Sequence, residues 1–123
     1  MSEGDLHVTD RVTIPGAELR VTASRSGGPG GQHVNKTASR VTLSWDAAST
    51  RALDPVDRAR VLRRLARRIA RDGVLRVSVE DERSQHRNRE IALQELKARL
   101  YQLEEAKRDA ELAKLYGNKG EIA

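Results

Sequence analysis

Gly27-Gly28-Pro29-Gly30-Gly31 interrupts a chain whose flanking stretches alternate apolar and polar positions. A run this rich in glycine places no side chain in a core and loses much conformational entropy when ordered. A hairpin turn needs only about two special residues, so the cluster exceeds what a turn demands. It divides the strands on either side and belongs in a surface connection. A flexible linker would account for the glycines alone. Directly after them, Gln32-His33-Val34-Asn35-Lys36-Thr37 is polar and cationic rather than Ser/Gly filler. That sequence suits the close approach of a bare main chain to a crowded substrate.

The flanks predict the fold. Val12 and Ile14 alternate before Pro15-Gly16, and Leu19, Val21 and Ala23 alternate after it, which reads as two short strands around a turn. Residues 1–7 are polar and expected to fray. Val41, Leu43 and Trp45 mark a third strand and Val74 to Val79 a fourth. Between these, Asp54-Pro55 supplies an N-cap acceptor and a first-turn proline. The helix it starts carries Leu62, Leu65, Ala66 and Ile69 on its inner face and ends at Asp72-Gly73. A long helix then begins near Ser84 to Asn88, with Leu93, Leu96, Leu100 and Leu103 as its core stripe. It runs to about Leu115, where Tyr116-Gly117-Asn118 stops it, and its later turns, with Ala106, Ala110 and Ala113, project from the core. The order β-β-β-α-β-α predicts an α+β fold: one small mixed β-sheet, helices packed on one side, and a long C-terminal helix.

Composition removes most chemistries. At 123 residues the chain is one domain. It has no cysteine, so disulfides, thiolate nucleophiles and Cys-ligated metals are excluded. The three histidines, His7, His33 and His86, do not form an HExxH site. No cofactor or metal is expected. No apolar run approaches the ~20 residues of a membrane span, and no targeting segment opens the chain, so a cytoplasmic protein is expected. Trp45, Tyr101 and Tyr116 are the only aromatics. Nucleic acid would therefore be met through phosphates and shape rather than base stacking.

Local active sites fail one by one. Gly30 with Asn35-Lys36-Thr37 approaches a phosphate-binding loop, but Asn35 occupies the position of the required glycine and a strand pattern comes next. Gly28-x-Gly30 lacks the third glycine of a dinucleotide loop. Ser24 and Ser26 lie near His33 without a GxSxG elbow. Asp81, Glu82 and Glu90 sit among arginines and read as salt-bridged surface charge. Arg58, Arg60, Arg63, Arg64, Arg67, Arg68 and Arg71 decorate the first helix and read first as a solvated face, with RNA contact by some of them as the alternative. Any catalysis has to come from backbone and one amide side chain, with the remaining groups supplied by a partner.

The stretch Ser26 to Thr37 closely resembles the GGQ loop of class I peptide-chain release factors, and Asp81-Glu82-Arg83-Ser84-Gln85-His86-Arg87-Asn88-Arg89-Glu90 resembles the second signature of the same domain. The resemblance covers about Val12 to Leu115. It implies a single GGQ domain over residues 1–123, without a codon-recognition domain, most similar to the stand-alone alternative ribosome-rescue factor B hydrolases. It further implies that the loop enters the peptidyl-transferase centre of the large ribosomal subunit and hydrolyses the ester of P-site peptidyl-tRNA. Gly30, Gly31 and Gln32 would carry catalysis. Arg25, His33, Lys36, Arg83, His86, Arg87 and Arg89 would bind ribosomal RNA, and the protein would act as a monomer. The rescue family typically continues into a strongly basic tail; here, after Leu100, four cations meet five anions, so that tail is expected to be absent. Two other readings compete: a non-catalytic RNA-binding module or large-subunit component, and a hydrolase of free peptidyl-tRNA, against which the lack of an independent catalytic constellation counts.

Overall fold

The computed structural model describes residues 4–25, 40–80 and 84–122, with side chains described as far as Tyr116. The described residues form, in order, β1 (Leu6–Thr9), β2 (Val12–Ile14), β3 (Leu19–Ser24), β4 (Arg40–Asp46), α1 (Pro55–Arg64), β5 (Val74–Val79) and α2 (Gln85–Ile122). Short 3-10 turns at Gly16–Glu18 and Ala47–Ser49 lead into β3 and out of β4.

The α+β class and the long C-terminal helix are as the sequence predicts. The single mixed sheet is not. Among the described residues, β1 and β2 form a two-stranded sheet, and β3, β4 and β5 form a second sheet in that order, with every pairing antiparallel. Pro15-Gly16 therefore separates two sheets instead of turning a hairpin. Its register is held by Asp5, whose Oδ1 accepts from the Gly16 amide at 2.8 Å.

Leu6 and His7, expected to fray, lie in β1. His7 Nδ1 lies 3.1 Å from Thr13 Oγ1, and Val8 is buried in the core. Two apolar residues make too short a pattern to announce a strand; β1 forms because β2 and α2 cover it.

β4 is central, with Val41, Leu43 and Trp45 buried along one face and Leu75, Val77 and Val79 of β5 beside them. Onto this face α2 lays a stripe at four-residue spacing: Asn88, Ala92, Leu96 and Leu100, all buried. Ile91, Leu93 and Leu103 flank it, partly buried. Leu96 and Leu100 are thus buried as the sequence predicts, and Asn88 and Ala92 extend the stripe towards the start of the helix. At 1.5 Å per residue the helix is roughly 57 Å long, and from Arg108 to Tyr116 it is wholly exposed, so Ala110 and Ala113 project as expected. It continues past Tyr116-Gly117-Asn118 to Ile122. A glycine inside a helix costs only about 1 kcal/mol and does not by itself end one.

α1 begins as predicted: Asp54 caps it, its Oδ1 accepting from the Asp57 amide at 2.8 Å, with Pro55 in the first turn. It ends at Arg64, well short of Asp72. Beyond Leu65 the chain turns so that Ile69 bridges Leu75, and a helix running to Asp72 would forbid that pairing. Gly73 is left-handed as expected (φ +79°), but it serves the turn into β5 rather than a helix C-cap. Val61 and Leu65 enter the core, whereas Ala66 is exposed.

Candidate functional site

The antiparallel register decides where the motifs emerge. Ser24, the last residue of β3, pairs with Arg40, the first of β4. Residues 25–39 are thus the connection between two hydrogen-bonded neighbours, whose ends lie about 5 Å apart. Val41 in turn pairs with Val79, so β5 finishes at the same end of the sheet. There Arg40 reaches Glu80, its Nη2 3.0 Å and its Nε 3.1 Å from Oε2. From Glu80 the chain has at most about 17 Å of extended backbone before α2 starts at Gln85. Both signature stretches consequently leave the described fold at one end of the three-stranded sheet.

Ser84 caps α2: its Oγ accepts from the Arg87 amide at 3.2 Å and its carbonyl from the Asn88 amide at 3.0 Å. His86 and Arg87 then project from the first turn, both exposed, and lean towards Glu90, with His86 Nε2 3.1 Å from Oε1 and Arg87 Nη1 3.6 Å from Oε2. Such exposed pairs are worth little in water, so a phosphate can displace Glu90 from either. The described part of the first turn carries no acidic residue, which leaves the positive end of the helix dipole uncompensated by its own side chains. Arg25 is exposed immediately after β3, and Arg89 is half-buried.

Of the residues singled out in the sequence, the structure brings Arg25, His86, Arg87 and Arg89 to one end of the fold. Gly30, Gly31, Gln32, His33, Lys36 and Arg83 lie outside the described residues. Sequence reasoning passed over Arg40 and Glu80, whose pairing joins the bases of the two motifs. Only the strand register reveals it. Asn88 looks like part of a polar signature, yet it is fully buried in the first core position of α2.

Electrostatic perturbation lies elsewhere. The Asp72 carboxyl is held below its ordinary range by the Arg76 guanidinium and the Val74 amide. The Tyr101 hydroxyl is raised by Glu105 and the Lys107 ammonium by Asp57. A groove of about 890 Å³ runs between the β1–β2 turn, the start of α1 and Tyr101 to Glu111 of α2. It opens some 20 Å or more along α2 from the motif end, has walls of mixed charge, and is not the candidate site. Among the described residues no group of three or more His, Cys, Asp or Glu side chains could hold a metal, and no helix is long and apolar enough to cross a membrane.

An α+β domain whose β3–β4 connection carries Gly-Gly-Gln, with a second signature leading into a long helix beside it, defines a release-factor type of domain. The chain belongs to the RF-1 domain family, whose model matches residues 7–123. It is 35% identical over 112 residues to peptide chain release factor 2 of Aromatoleum aromaticum, covering 91% of this chain and 24% of that protein. It is 36% identical over 102 residues to peptide chain release factor 1 of Jannaschia sp., covering 83% of this chain and 22% of that one. Among solved structures, RF2 of Thermus thermophilus matches 85% of this chain and 26% of its own at 33% identity, with a TM-score of 0.46. The chain thus spans about a quarter of the length of the release factors it matches.

Proposed function

We propose that this domain hydrolyses the ester of peptidyl-tRNA in the peptidyl-transferase centre of the ribosome. The observation that carries the reading is the pairing of Ser24 with Arg40, backed by the Arg40–Glu80 bridge, which anchors both signature stretches at one end of a rigid sheet. A Gly-Gly-Gln segment delivered from paired strands can bring bare backbone to a buried ester. Gln32 positions the attacking water, and its backbone N–H stabilises the charge that develops on the departing oxygen. Gly30 and Gly31 admit a main-chain conformation that a Cβ would obstruct. Ribosomal RNA and the tRNA complete the site, so the chain needs no serine or carboxylate constellation of its own.

Arg25, Lys36, Arg83, Arg87 and Arg89 engage ribosomal RNA phosphates around that end, with His33 and His86 as further donors. The chain acts as a monomer where translation takes place. The finer reading is ribosome rescue, release of the peptide without a stop codon.

A peptide-release assay tests both levels. Purified protein is added to ribosomes halted on truncated mRNA, to ribosomes with a stop codon in the A site, and to free peptidyl-tRNA. Release on truncated mRNA supports rescue; release only at stop codons supports termination; release from free peptidyl-tRNA alone refutes a ribosomal site. Ribosome binding with no release in any arm leaves a non-catalytic module.

A further inference from the structure

The net charge of the chain, +5, is concentrated in one segment. Residues 61–76 hold six arginines and a single acid, Asp72; the other 17 cations of the chain meet 17 anions. Five of those arginines, Arg63, Arg64, Arg67, Arg68 and Arg71, are exposed, and no described hydrogen bond or ion pair engages their side chains. The other two arginines of α1 differ. Arg60 donates to the Leu103 carbonyl at 3.0 Å and lies against Asp57 and Glu104, and Arg58 donates to the Thr50 carbonyl at 3.3 Å. Asp72 is engaged by Arg76 at 2.7 Å and by the Val74 amide at 3.0 Å. The acid of this segment is therefore already committed.

Stability accounts for two of the five at most. Arg63 and Arg64 sit in the last turn of α1, where cations favour the helix dipole. Arg67, Arg68 and Arg71 lie past the end of the helix, and their mutual repulsion opposes folding. Nor is the patch interleaved with large apolar groups: its other exposed members are Ala66 and Ala70. A membrane-surface segment would carry aliphatic or aromatic anchors there. Arginines with rigid donor forks and no apolar anchors fit a phosphate backbone.

The patch is also remote from the motif end. Ile69 bridges Leu75 near the start of β5, whereas Glu80 lies just past its finish, and a six-residue strand spans about 17 Å. We propose that Arg63, Arg64, Arg67, Arg68 and Arg71 form a second RNA-docking surface that grips a structured RNA backbone, remote from the sheet end where Ser24 pairs with Arg40. It deepens the reading above and rests on it only for the identity of the RNA as ribosomal. Two cationic ends separated by the sheet fix the domain's orientation, which a single patch would leave free to rotate.

The test compares wild type with Arg67→Gln/Arg68→Gln/Arg71→Gln, and separately with Arg64→Gln/Arg71→Gln should the triple variant not fold. Binding is measured on vacant large ribosomal subunits and on a 20-base-pair RNA duplex across 50–300 mM salt. The triple variant should bind about 10-fold or more weakly at 150 mM salt, and its slope of log affinity against log salt should be smaller by about 2. Its thermal midpoint should not fall, since the substitutions relieve like-charge repulsion. An unchanged slope in both folded variants overturns the proposal. So does tighter binding of the wild type to vesicles of anionic phospholipid than to either RNA, lost in the same variants. Vacant subunits hold no peptidyl-tRNA, so this measurement stands apart from release. A protein that binds through these arginines yet releases nothing refutes the hydrolytic reading alone, and one that releases peptide with these arginines silent refutes only the second surface.

Discussion

Arg40 and Glu80 join the start of β4 to the end of β5, with both Nε and Nη2 of the arginine converging on one carboxylate oxygen at 3.1 and 3.0 Å. The pair is nearly half exposed on both sides, so its contribution to folding is small, about 0.2–1 kcal/mol. Its position matters more, because the chain on one side leads back into the Gly-Gly-Gln connection and on the other into the second signature. Glu80→Gln should lower stability by under about 1 kcal/mol in urea denaturation, yet slow peptide release several-fold. Release unchanged by Glu80→Gln and by Arg40→Ala would remove this bridge from the site.

Gln32 and Gly31 are expected to serve chemistry and contribute little to the fold. Gly31→Ala and Gln32→Ala should each abolish or strongly reduce release while the thermal midpoint stays within about 1 °C. Equal release by the wild type and both variants would end the catalytic assignment.

Glu18 holds three donors from different parts of the chain: Trp45 Nε1 at 3.1 Å, Thr50 Oγ1 at 2.5 Å and the Arg51 amide at 2.9 Å. Trp45 and Thr50 are fully buried, so removing the acceptor strands an indole N–H and a hydroxyl. Glu18→Ala should cost about 2–4 kcal/mol, read as a lower urea midpoint with an unchanged slope. Glu18→Gln retains one acceptor oxygen and should recover part of it.

Gly73 carries two separate constraints. Its φ is +79°, and an added Cβ would lie 2.4 Å from the Ala48 Cβ. Gly73→Ala should destabilise by about 2 kcal/mol or more. Pairing it with Ala48→Gly relieves the contact but not the backbone conformation, so recovery should be partial. Full recovery would mean that the positive φ carries no cost.

Lys107 Nζ lies 2.7 Å from Asp57 Oδ2, and this bond, more than any other effect, raises the lysine above its usual range. A cation whose folded pKa exceeds its unfolded value of 10.5 stabilises the fold fully below pH 10.5, and that stabilisation is lost as pH rises through the folded value. Lys107→Gln should therefore be less stable than wild type by a constant margin from pH 7 to 10, and the gap should narrow above that range. A gap that narrows between pH 5 and 8 would point to a different group.

Local chemistry was legible in the sequence wherever neighbouring residues determine it. Asp54-Pro55 starts α1 because the cap is built from residues three apart. Val41, Leu43 and Trp45 alternate because a half-buried strand has a period of two. The two signatures likewise needed only their own residues to be read. Tertiary structure decided what depends on distant partners. α1 stops at Arg64 because Ile69 is drawn to Leu75, β1 exists because β2 and α2 cover Val8, and Arg40 finds Glu80 only through the β4–β5 register. The seven arginines look alike in sequence; packing engages Arg58 and Arg60 and leaves five in solvent. Caps, turns and periodicity act over a few residues of backbone, whereas strand pairing and burial are set by surfaces that become neighbours only once the chain has folded.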